Sequence, residues 1–282
     1  MFIRFLILVL FIAGMILVGV LTRRKIKSTD DFILGGGRLG SWFTAFAYGT
    51  TYFSAVVFIG YAGSISWKFG LSSVWIGIGN AIIGTMLAWL VLGRRTFRFM
   101  KAAGAKTMPE FFEKRYNSKL LKLLSTLIIF IFLVPYTASV YTGLGILFDR
   151  AFSINLTTVV LIMGLLTAAY LVMGGYLATA TNDFIQGIIM LAGIIVITCM
   201  IIFNSEIGGF SGGMAELARQ AAAEGNTVAL NSPFSFDINL VSLIIMTSLG
   251  TWGLPQMAHK FYAIKDERSI KQATVISTVF AL

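Results

Sequence analysis

The chain is dominated by a series of apolar segments, each about as long as a lipid bilayer's hydrocarbon core is thick. Cutting the sequence at its charged and Gly/Pro-rich stretches leaves runs over 2–22, 41–66, 70–93, 120–148, 155–173, 178–204 and 239–260. A helix rises ~1.5 Å per residue, so roughly 20 residues cross a ~30 Å core. Hydrophobic residues make up 57% of the chain and charged residues 12%, too little polar surface to coat a soluble globule of this length. The expected fold class is an all-α polytopic membrane protein. The first run follows Arg4, as in a signal peptide, but it has no small-residue cleavage site and leads directly into Arg23-Arg24-Lys25, so it reads as a retained helix. An eighth run begins near Gln272 and is still apolar at Leu282; we therefore expect the sequence to be a piece of a longer protein.

A net charge of +10 would point to nucleic acid in a soluble protein, so the placement of the basic residues decides its meaning. With the N-terminus outside, the stretches 23–40, 94–122 and 260–271 are cytoplasmic. Of the 22 Lys and Arg residues, only Arg4, Lys68, Arg150 and Arg219 fall elsewhere, which is the positive-inside bias. Topology thus accounts for the charge, and no aromatic–basic groove motif supports a nucleic-acid partner. The segment 205–238 is expected outside. It carries Glu206, Glu216, Glu224 and Asp237 against Arg219, and its MAELARQAAAE stretch predicts a short surface helix. Trp42, Trp67, Trp75 and Trp89 fall near span ends, as interfacial anchors do. The lone Cys199 and lone His259 offer neither a disulfide nor a metal cluster, and no catalytic constellation is present.

Two runs are unlike lipid-facing helices. The second holds Gly49, Thr50, Thr51, Ser54, Gly60 and Gly63, and the seventh holds Thr247, Ser248, Gly250, Thr251, Gly253 and Pro255. Such a composition either packs tightly on a neighbouring helix or breaks the helix where freed backbone groups line a protein cavity. The two runs are five apart, the spacing expected if 41–204 is one five-helix repeat, 239–282 opens an inverted copy, and 2–22 is an extra N-terminal helix. Asp183, in TATNDFIQG, is either a carboxylate inside the membrane that needs a compensating cation, hydroxyl or water, or a solvated helix cap acting with Thr179 or Thr181.

These residues resemble the sodium:solute symporter family, which shares the inverted-repeat architecture of the leucine transporter. The likeness runs through DDFILGGGRLGSW, GTTYFSAVVFIGYAGSISWKFGL, TMPEFFEKRYNS, YLVMGGYLATATNDFIQG and TWGLPQMAHKFYAIKDERSIKQA. The resemblance implies sodium-coupled uptake of a small organic solute by alternating access, with sodium as the coupling ion, no other cofactor, and a lipid bilayer around the chain. It places sodium on the backbone carbonyls of Thr50 and Phe53, a second ion at Asp183, and the solute near Tyr52, Ser54, Val56, Val57, Trp252 and Gln256. Val56 and Val57 replace polar positions of sugar-carrying members, which disfavours a sugar. The Asn182-Asp183 pair, TYFSA and GLPQ are most similar to the pantothenate and proline branches. A proton-coupled carrier and a transporter-like sensor module are the alternatives.

Overall fold

The computed structural model describes residues 2–53, 62–230, 232–235 and 237–282, with the side chain of Ile207 left aside. The described residues form thirteen α-helices in chain order: α1 (Phe2–Arg23), α2 (Thr29–Leu34), α3 (Ser41–Tyr52), α4 (Ala62–Phe69), α5 (Val74–Gly79), α6 (Arg94–Ala103), α7 (Met108–Tyr116), α8 (Lys119–Phe152), α9 (Leu156–Ile202), α10 (Gly209–Ala223), α11 (Ile238–Gly250), α12 (Pro255–Ala263) and α13 (Glu267–Ala281). Two π-helical stretches, Asn80–Leu87 and Trp89–Gly93, join α5 to α6. Among the described residues, β-pairing is limited to one isolated parallel bridge between Leu39 and Ile264.

Local chemistry sets the boundaries. Ser28, Thr107, Ser118, Asn155 and Asp266 each accept a backbone N–H in the first turn of the helix that follows, the capping role of short polar side chains. Glu110 also reaches back to accept the N–H of Lys106, one residue before the cap, at 2.7 Å. Pro255 opens α12, where its missing N–H costs nothing.

Among the described residues, four helical stretches are long and apolar enough to cross a membrane: α1, the path from Ala62 to Ala103, α8 and α9; α11 and α12, bent by 55°, meet the same measure when taken together. Runs 2–22, 70–93, 120–148 and 239–260 fall on these stretches, whereas run 41–66 covers α3 and the first turn of α4, with 54–61 outside the described residues. Runs 155–173 and 178–204 are the two arms of the 47-residue α9, divided by Gly175, whose backbone (φ 51, ψ −151) is not helical. A side chain there would strike the Phe32 carbonyl, so glycine answers both a conformational and a steric demand. Phe130, Phe132, Val172 and Ile195 are exposed along α8 and α9, as suits lipid rather than water.

The core lies between α3, the π-helical stretches, α12 and α13, where Tyr48, Trp89, Phe261 and Met257 are fully buried. This corrects the interfacial assignment of Trp89: its ring packs on Phe261 and Tyr48 at 4.8 and 5.4 Å between centroids. The expected surface helix is α10. The segment after it folds back on the other elements, with Asn226 donating to the Trp67 carbonyl and Trp75 to that of Pro233.

Candidate binding cavity

Both Gly/Ser/Thr-rich spans are interrupted, and the interruptions meet. Helix α3 stops at Tyr52, and Phe53 leaves the helical region (φ −90, ψ 76). Helix α11 stops at Gly250, passes through a single 3-10 turn, and restarts as α12 after an extended Leu254 (ψ 126). A cavity of about 550 Å³ opens between them, bordered by Thr51, Tyr52 and Phe53 from the end of α3, Gly250 and Thr251 from the end of α11, and Leu254 before α12. Asn80, Tyr136 and Thr247 are also in its wall. No Asp, Glu, Lys, Arg or His borders it among the described residues.

The charge available in this wall is therefore the partial charge of helix ends. The carbonyls of Thr50, Thr51 and Tyr52 lie in the final turn of α3, where an α-helix has run out of its own N–H donors. They form the negative pole of that helix, and the end of α11 adds a second. The start of α12 presents the opposite pole. Thr50 and Thr51 donate their hydroxyl protons to the carbonyls of Phe46 and Ala47 at 2.9 and 2.7 Å, which leaves lone pairs on both the hydroxyl and the main-chain oxygens.

Of the residues singled out in sequence, Tyr52 and Phe53 line the cavity, while Thr50 sits one residue behind the lining residue Thr51. Ser54, Val56 and Val57 lie outside the described residues. Trp252 turns into the core and donates its indole N–H to the Ile83 carbonyl at 3.0 Å. Gln256 faces a different cavity of about 360 Å³ between α7, α8 and α12, and its amide atoms are buried without a described partner.

Asp183 is not a helix cap. It stands about two turns into the second arm of α9, and Thr179 and Thr181 bond the carbonyls of Gly175 and Leu177 instead. Its carboxylate accepts from the ammonium of Lys260 on α12 at 3.3 Å. Lys260, the first residue of the basic stretch 260–271, is 4% exposed and lies 5.1 Å from the Tyr176 ring centre. His259 packs edge-on against Tyr176 and Tyr262 at 4.3 and 5.0 Å, a structural role. No cluster of three or more His, Cys, Asp or Glu side chains suits a metal among the described residues.

Sequence reasoning missed Asn80. Its Oδ1 accepts hydroxyl protons from Tyr52 at 3.0 Å, Thr247 at 3.1 Å and Ser248 at 2.9 Å, drawing α3 and α11 onto the start of the π-helical stretch. A lone carboxamide in the apolar run IGIGNAIIG was the available signal, since polar groups inside a membrane need partners.

The description of the sodium:solute symporter family matches residues 32–282. The chain is 32% identical over 273 residues to an osmoregulated proline transporter of Bacillus subtilis, covering 94% of this chain and 52% of the relative. It is 31% identical over 277 residues to a sodium/proline symporter of Escherichia coli, covering 96% and 53%. The chain thus spans about half the length of the curated relatives it matches. Its fold superposes with a TM-score of 0.78 on a solved Na+-coupled sialic acid symporter in a substrate-bound outward-open state, at 20% identity, covering 100% of this chain and 57% of the other. On the family match and the shared fold, this chain belongs to the sodium:solute symporter family and is part of an all-α, multi-pass membrane protein.

Proposed function

We propose that the whole protein is a sodium-coupled carrier for a small carboxylate-bearing solute, with proline the first candidate and pantothenate the second. The cavity's composition carries this reading. It lies at the meeting point of three helix ends and no charged side chain borders it among the described residues. A site of this kind holds a cation at the carbonyl ends of α3 and α11 and a carboxylate near the start of α12. It neutralises neither permanently, so both leave when the geometry changes. The proline transporters among the relatives agree with that chemistry.

In this reading the carbonyls of Thr50 and Phe53 hold sodium, and Tyr52 links that site to the solute cavity through Asn80. Asp183 is a second ion position only for an ion that displaces the Lys260 ammonium. The N-terminus is outside, α1 precedes a first five-helix repeat over 41–204, and 239–282 opens the second. One charge crossing 100 mV yields about 2.3 kcal/mol, more than the ~1.4 kcal/mol that a tenfold solute gradient requires. The test is uptake of labelled proline and pantothenate into vesicles carrying the full-length protein, with sodium or with choline. Accumulation that needs sodium supports the proposal; uptake that follows pH and ignores sodium replaces it with proton coupling.

A further inference from the structure

The C-terminal end of α1 gathers positive charge that the fold leaves unmatched. Arg23, Arg24, Lys25 and Lys27 are all exposed, and none lies within ion-pair distance of a carboxylate among the described residues. The nearest acids along the chain are already engaged. Asp30 pairs with Lys106, and Asp31 pairs with Arg38 at 3.8 Å and accepts the Lys27 main-chain N–H at 3.1 Å. Elsewhere on the basic face, cations are interspersed with acids: Arg94 and Arg98 hold Glu267, and Lys122 bonds Glu113 at 2.7 Å, with Lys114 and Lys119 adding to the field on that carboxyl.

Helix α1 sets the depth of the cluster. Its 22 residues rise ~33 Å at ~1.5 Å each, about the thickness of a hydrocarbon core, so the charges stand at headgroup level. Buried Met15, Gly19 and Thr22 turn toward α9. Away from them, Ile3, Ile7, Leu10, Leu17 and Leu21 make an exposed apolar stripe, and Arg24 and Lys25 fall next in its helical period. Two tight turns, Lys25 N–H to the Thr22 carbonyl at 2.9 Å and Ile26 N–H to that of Arg23 at 3.2 Å, keep the cations together.

We propose that Arg23, Arg24, Lys25 and Lys27 bind an anionic phospholipid, whose phosphate sits among the cations while its acyl chains lie along the apolar stripe of α1. The positive-inside bias accounts for the sign of the charge here; the headgroup adds the counter-ion that no acid of the fold supplies. Basic clusters placed directly after a transmembrane helix attract anionic headgroups in this way. The site does not depend on the carrier reading, and the proposed orientation decides only which leaflet provides the lipid. From the cluster the chain passes through Ser28, the cap of α2, to the Phe32 carbonyl that lies against Gly175, so the lipid is held beside the break in α9.

The experiment titrates the full-length protein in dodecyl maltoside, a neutral detergent, with dioctanoyl phosphatidylglycerol or dioctanoyl phosphatidylcholine, and counts bound lipid by native mass spectrometry. The two lipids share their chains and differ in net headgroup charge, so their affinity ratio reads the electrostatic contribution. Wild type should favour phosphatidylglycerol by roughly 10-fold, and Arg24→Gln/Lys25→Gln/Lys27→Gln should bring the ratio close to one. Lys114→Gln/Arg115→Gln/Lys119→Gln removes the same charge from other exposed positions of the basic face and should leave the ratio unchanged. Equal affinity for both lipids in the wild type overturns the proposal. So does an equal loss in the two triple variants, which would make the preference a property of net charge. Displacement of phosphatidylglycerol by millimolar inorganic phosphate overturns the lipid as ligand and puts a soluble anion in its place.

Discussion

Three residues along α12 separate two ways of handling charge in a membrane. At Met257 the helix borders a cavity without charged side chains, where helix ends and the Asn80 carboxamide supply the polarity. At Lys260 the same helix buries a full positive charge against Asp183 on α9. In the proposed carrier the cavity has to release what it binds, and partial charges would let a cation and a carboxylate depart without stranding an opposite charge. The Lys260–Asp183 pair joins α12 to α9 at 3.3 Å, and losing one partner would strand the other's charge. The contrast separates the part proposed to bind from the part that pairs its charges internally.

Predictions that break or sharpen this contrast run from the paired end to the surface. Lys260→Met leaves the Asp183 carboxylate buried and alone, which should cost about 3–5 kcal/mol of stability. Thermal denaturation in detergent should show the loss, and adding Asp183→Leu should recover most of it; no recovery would mean that Lys260 matters through packing. Gly175→Ala, beside Tyr176, should cost about 1–3 kcal/mol from the backbone conformation alone, with the Phe32 contact adding to it, as read by the same melt.

At the cavity the expected effects are smaller. Trp252→Phe removes the indole N–H from the Ile83 carbonyl and should cost about 1 kcal/mol, with weaker solute binding if the 3-10 turn shifts. The smallest effect belongs to Glu267, which Arg98 and Arg94 grip at 2.6 Å each. Those guanidinium groups hold its carboxyl below the usual carboxylate range. A lowered pKa stabilises the fold above the ordinary glutamate value and loses that contribution as pH falls through the lowered one. Wild type and Glu267→Gln should thus differ slightly at neutral pH, converge in acid below the carboxylate range, and converge in high salt at any pH; a difference that persisted in acid would contradict the ion-pair account.

Much of this architecture was legible as composition. Clustered Gly, Ser and Thr marked both broken spans because interrupted backbone inside a membrane requires them, and the MAELARQAAAE spacing marked α10. Residues whose role depends on a distant partner were not legible. Lys260 reads as one more basic residue of a loop until Asp183, 77 positions away, is brought against it. Trp89 looks like an anchor by its distance from a span end, but the face it turns inward is set by packing on Phe261 and Tyr48. Asn80 was passed over because a single carboxamide barely alters the hydropathy of its run.

The central claim is that cation and carboxylate share one cavity between helix ends and bind in concert. Its most direct test is reciprocal titration of the full-length protein in detergent, where no membrane potential contributes: proline affinity across sodium concentrations, and sodium affinity across proline concentrations. Each ligand should tighten the other by the same factor, as linkage requires of coupled sites. Proline binding that is equal in sodium and choline would contradict the account, because the cavity would then hold the solute without the ion.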